Sequence, residues 1–105
     1  MRFELKGELR AAAPASLVAN DLFHALETAA KVMAPEALVI PFMSTGATNS
    51  ALLRAKGIPT YGILPMPLPV EDELRMHGDD ERVPLQALGW ASEFLYRTLW
   101  LVAKK

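Results

Sequence analysis

The chain contains no cysteine, which excludes disulfides and thiolate metal sites. It also lacks a surplus of either charge: 11 basic and 12 acidic residues leave a formal net charge of −1. That balance gives no electrostatic case for nucleic acid or an anionic membrane. No apolar run is long enough to span a bilayer. The nearest, 90–102, is broken by Ser92, Glu93, Arg97 and Thr98. The first residues, Met1-Arg2-Phe3-Glu4-Leu5-Lys6, lack the apolar run of a signal peptide. Internal repeats and low-complexity tracts are missing too. A cytoplasmic setting fits these features.

What is present fits one modest core: 105 residues, of which 51% are hydrophobic. Residues 2–10 alternate, with Phe3, Leu5, Gly7 and Leu9 facing one way and charged residues the other. This is the period of a half-buried strand. Residues 11–16 are small and punctuated by Pro14, so 1–15 read as a strand and linker ahead of a main unit, 16–105. Asn20 is a candidate helix cap, with Asp21 in the first turn. Val18, Leu22, Phe23, Leu26, Ala29, Ala30 and Met33 then recur at helical spacing, and Ala34-Pro35 ends the run. Residues 37–42 and 58–64 are short apolar runs that read as buried strands of a parallel sheet. A short helix is expected over 48–56, closed by Gly57. A long loop, 65–82, precedes a last helix introduced by Pro84. Its expected inward stripe is Leu88, Ala91, Leu95, Leu99 and Val102. The order of elements predicts an α/β fold, a small parallel-sheet layer sandwich with βα alternation. Sites in such sheets form at the carboxyl ends of strands, where both polar loops fall.

Those loops carry the candidate chemistry. His77 precedes Gly78 within Met76-His77-Gly78-Asp79-Asp80-Glu81-Arg82-Val83. Neutral imidazole is a good zinc ligand. Spacing alone still favours a solvent-facing loop histidine, and it favours a solvated role for Asp79 and Asp80. Thr45-Gly46-Ala47-Thr48 reads equally as an anion-binding turn or as a capping turn, with Thr48 or Thr45 as cap. His24 has no carboxylate at ligand spacing and reads as structural or superficial. The loop Leu64-Pro65-Met66-Pro67-Leu68-Pro69 is either an apolar substrate wall or a packing loop.

Together, 44–50, 55–64 and 76–88 resemble the C-terminal signature of the zinc-dependent aminoacylase, carboxypeptidase and dipeptidase family. There a Thr-Gly-Ala-Thr-Asp-Ser-type turn precedes a His-Gly-x-x-Glu-type loop. The resemblance spans roughly 16–105 and departs at Asn49, where aspartate is usual, and at Ala51, where arginine is frequent. It implies that His77 is the terminal imidazole ligand of one zinc in a two-zinc site. It also implies that Thr45, Gly46 and Thr48 line the site for a peptide or N-acyl amino acid substrate, and that Glu81 helps anchor the His77 loop. The family's upstream elements are a His-x-Asp segment, a bridging aspartate and a Glu-Glu pair. Ahead of Ser44 there is no His-x-Asp, and Glu-Glu occurs nowhere. The bridging carboxylate and the general base are therefore unaccounted for. The expectation is the C-terminal part of a zinc metallopeptidase or amidohydrolase, truncated, inactive alone and weak in zinc binding. Its partner would be the upstream half of a split peptidase. The alternative is a non-catalytic interaction module derived from such an enzyme. Self-association as a homodimer is expected through the last helix, around Trp90, Phe94, Trp100 and Leu101, or through the first strand.

Overall fold

Helices account for all the regular structure among the described residues. The computed structural model describes residues 1–4, 6–7 and 12–104. It contains α1 (Asp21–Met33), α2 (Ser50–Ala55), α3 (Val70–Glu73) and α4 (Leu85–Ala103). Among the described residues, none of these helices is long and apolar enough to cross a membrane.

Local sequence explains where the helices start and stop. The Asn20 side chain accepts a hydrogen bond from the Leu22 N–H at 2.9 Å, so α1 begins where its cap was expected. The run ends at Ala34, directly before Pro35. α2 ends in a Schellman arrangement. The Gly57 N–H donates to the Arg54 carbonyl at 2.9 Å and the Ile58 N–H to the Leu53 carbonyl at 3.0 Å. Gly57 sits at φ 78, the left-handed conformation that favours glycine.

Among the described residues, the only elements packed against each other are α1 and α4. Their buried residues are Ala25 and Ala29 on α1, and Ala87, Ala91, Phe94 and Thr98 on α4. The buried face of α4 is therefore not the leucine stripe expected from the sequence. Of that stripe only Ala91 is buried; Leu88, Leu95, Leu99 and Val102 are exposed. Small residues four apart on both helices let the backbones approach closely, and Phe94 fills the space beside them. The Thr98 hydroxyl donates to the Phe94 carbonyl at 2.9 Å, so its one polar group is satisfied within α4.

The parallel-sheet sandwich is contradicted. Among the described residues there is no strand. Of the strand expected over 2–10, residues 5 and 8–10 lie outside the described residues, and 2–4 and 6–7 form no strand. Segments 37–42 and 58–64 are irregular, and no hydrogen bond joins one to the other. A strand exists only where a neighbour completes its ladder, and an apolar run does not encode that neighbour. Pro41 and Pro59 also remove one donor from each segment. Leu38, Ile40 and Phe42 stay 89%, 72% and 86% exposed. The second segment is better tethered. The Ser16 hydroxyl donates to the Thr60 carbonyl at 2.7 Å, and the Tyr61 hydroxyl donates to the Leu17 carbonyl. The Tyr61 ring also leans on Phe23, with centroids 5.9 Å apart.

The result is an open molecule. Its radius of gyration is 16.9 Å, against about 13 Å for a compact 100-residue domain.

Candidate functional site

Loop 69–84 is organised by charge. Pro69 introduces the one-turn helix α3, and Glu71, Asp72 and Glu73 occupy that turn, where carboxylates suit the exposed N–H groups. This turn falls inside the stretch expected to be a plain loop; four residues are too few to carry a helical period. Glu71 and Glu73 face solvent, whereas Asp72 turns inward and is only 7% exposed. A buried carboxylate needs a partner, and Arg82 supplies one. Its Nε donates to Asp72 Oδ1 at 2.5 Å. That hydrogen bond, and then the Asp72 charge, raise the Arg82 guanidinium above the usual arginine range.

A second ion pair closes a smaller ring inside the first, from the Arg75 guanidinium to the Asp80 carboxylate. His77 and Gly78 sit at the tip of both rings. His77 has φ 66, the only positive φ of a described non-glycine residue. Left-handed backbone costs an L-residue roughly 1–2 kcal/mol, so the surrounding contacts must enforce it. Those contacts include the Gly78 N–H donating to the Arg75 carbonyl at 2.8 Å and the Glu81 N–H donating to the Gly78 carbonyl at 3.3 Å. Gly78 is needed for close approach. A Cβ there would lie 3.0 Å from the Arg75 carbonyl oxygen and 3.3 Å from Asp80 Oδ1. The backbone it approaches is that of its own loop. The His77 side chain is exposed and makes no hydrogen bond or ion pair.

The expected substrate turn is placed differently. The Ser44 hydroxyl accepts from the Gly46 N–H at 3.2 Å, and the Thr48 hydroxyl accepts from the Ser50 N–H at 3.2 Å. Thr48 thus accepts from the first residue of α2, whose N-cap position is Asn49, while Thr45 makes no hydrogen bond. Among the described residues, no hydrogen bond or ion pair joins this turn to the His77 loop. His24 lies on the exposed face of α1, with its Nδ1 3.6 Å from Glu27.

No group of three or more His, Asp or Glu able to hold a metal exists among the described residues. The triplet His77-Gly78-Asp79 has a His-x-Asp spacing, but it belongs to this terminal loop, and its aspartate is exposed. The sequence predicts a solvated Asp80, and the side chain is 68% exposed while it pairs with Arg75; it points to no role for Asp72, Arg75 or Arg82. Residues five and ten apart are not the i, i+3 or i, i+4 neighbours of a helix, so their spacing carries no signal of a pair.

Two apolar grooves flank the helix pair. One, of about 280 Å³, is lined by Val32, Tyr96, Trp100 and Leu101 with Glu93 and Arg97. The other, of about 190 Å³, is lined by Leu22, Leu26, Tyr61, Ile63, Leu95 and Leu99. Neither includes a residue of the His77 loop.

No known protein family, curated protein or solved structure matches the chain.

Proposed function

We propose that the chain is the C-terminal part of a zinc-dependent metallopeptidase or amidohydrolase, contributing one imidazole, His77, to a site that another polypeptide completes. The observation that carries this reading is the His77 loop. An imidazole without a partner is held in left-handed backbone at the tip of a doubly clasped loop. The resemblance of 44–50, 55–64 and 76–88 to the aminoacylase and dipeptidase signature names the chemistry. The exposed apolar runs give a completing polypeptide a surface to cover. Its contribution would be the carboxylate ligands and the general base; the substrate would be a peptide or N-acyl amino acid, with Thr45, Gly46 and Thr48 beside it. The cytoplasm is the setting that the cysteine-free composition suits.

Alone, the chain is expected not to hydrolyse acylated amino acids or dipeptides with added zinc or cobalt. Metal-dependent turnover that disappears in His77→Ala would overturn this reading.

The exposed face of α4 favours a second reading, an oligomerising module without catalysis. Leu88, Leu95, Leu99 and Val102 line that face, with Tyr96 and Trp100 beside them. Phe94, expected at such an interface, is instead buried against α1, and Trp90 stacks on it at 5.4 Å. A homodimer would therefore use the leucine face. Light scattering over a concentration series should give a dimer mass that falls in Leu95→Glu/Leu99→Glu. A monomer at all concentrations rejects this second reading.

A further inference from the structure

Asp72 is the one buried carboxylate among the described residues, and it lies in a four-residue helix far from the α1–α4 contact in sequence. Its partner reaches back over ten residues from the far side of the His77 loop. Arg82 satisfies the buried Asp72 carboxylate. In doing so it fixes the two ends of 72–82 against each other. The Arg75–Asp80 pair then fixes the two flanks of His77.

We infer that Asp72–Arg82 and Arg75–Asp80 form a double latch that positions the His77 imidazole, making these four side chains positioning residues for the site. The inference rests on the reading that His77 is the working group of this loop. Arg82 closes the outer ring on an acceptor already turned inward. Arg75 closes the inner ring and also offers its carbonyl to Gly78, so side chain and backbone pull on the same turn. With both rings closed, His77 stays in left-handed backbone, its imidazole exposed and in no ion pair with the chain's own carboxylates. With the outer ring open, the left-handed residue is free to relax, and the imidazole loses its fixed direction.

The test uses the full chain, isotope-labelled, and reads two local signals by nuclear magnetic resonance. One is amide exchange at Gly78 and Glu81, the donors that close the turn. The other is the HN–Hα coupling of His77, which reports its φ. In Arg82→Ala, exchange at both amides should rise roughly tenfold or more, as for a segment that opens independently of the rest. The His77 coupling should move to a conformationally averaged value, while Ala29 and Phe94 amides keep their protection. Arg82→Lys should recover part of both signals. If Arg82→Ala also exposes the α1–α4 amides, Asp80→Asn decides, because that side chain is 68% exposed and its loss should leave the helix pair intact. Unchanged exchange and unchanged coupling in both Arg82→Ala and Asp80→Asn overturn the latch. Zinc titrated into the wild-type chain mixed with a polypeptide carrying the upstream half of an aminoacylase-type enzyme forms a separate arm. A His77 ring signal that zinc does not perturb in that mixture overturns the zinc reading and leaves the latch standing.

Discussion

In the α1–α4 pair, alanines on both helices let the backbones close and Phe94 fills the gap beside them. In loop 69–84, guanidinium groups close on carboxylates and almost nothing apolar is buried. The first region is held by packing, which is non-directional and spreads over many contacts. The second is held by directed pairs that set one geometry. The difference teaches where this chain keeps its stability and where, on the proposed reading, it keeps its chemistry. Substitutions in one region should leave the other's signal unchanged.

The largest effect is expected from Phe94→Ala, which should cost about 3–5 kcal/mol in urea unfolding. Phe94 is 7% exposed and is the only large side chain buried among the described residues. If the comparison holds, the His77 backbone coupling survives this substitution under folding conditions. Ala29→Leu comes next. Ala29 is 1% exposed, and overpacking such a contact should cost about 1–3 kcal/mol. A neutral result would mean that the helices do not approach as closely as their alanines allow. Asn20→Ala removes the cap on Leu22 and should cost about 1 kcal/mol. Gly78→Ala should barely move the thermal midpoint, yet speed amide exchange at Glu81, because its Cβ meets the Arg75 carbonyl. A large drop in midpoint would mean that the loop supports the helix pair after all.

The smallest effect concerns pH. Arg82 is raised by its bond to Asp72. A raised folded-state value gives stability that is complete below the ordinary arginine range and lost only as pH climbs through the raised one. Between about pH 7 and pH 10 the guanidinium stays charged, so the Gly78 amide should gain no opening from deprotonation of Arg82. Opening across that window, after correction for intrinsic exchange, would assign the closure to some other group.

Much of the helical part was legible. Asn20, Ala34-Pro35, Gly57 and Pro84 are local signals, and each marks its boundary because capping depends on a few neighbouring atoms. The expected sheet, by contrast, is absent among the described residues. Residues 37–42 and 58–64 have strand-like composition, but pairing is a property of two segments and cannot be read from one. The α4 register was misjudged for a related reason. Leucines at helical spacing look like a core face, whereas the contact with α1 favours the alanines beside them. Within the candidate site, His77 stood out by residue type. The latch around it did not, since an ion pair across ten loop residues leaves no periodic trace.

The central claim is that His77 supplies one imidazole to a site completed by another polypeptide. Calorimetric zinc titration tests it most directly, run on the chain alone and on the chain mixed with a polypeptide carrying the upstream half of an aminoacylase-type enzyme. The account predicts no tight site in the chain alone, tight uptake in the mixture, and loss of that uptake in His77→Ala. Tight one-to-one binding by the chain alone, or a mixture whose zinc affinity ignores His77→Ala, would contradict it.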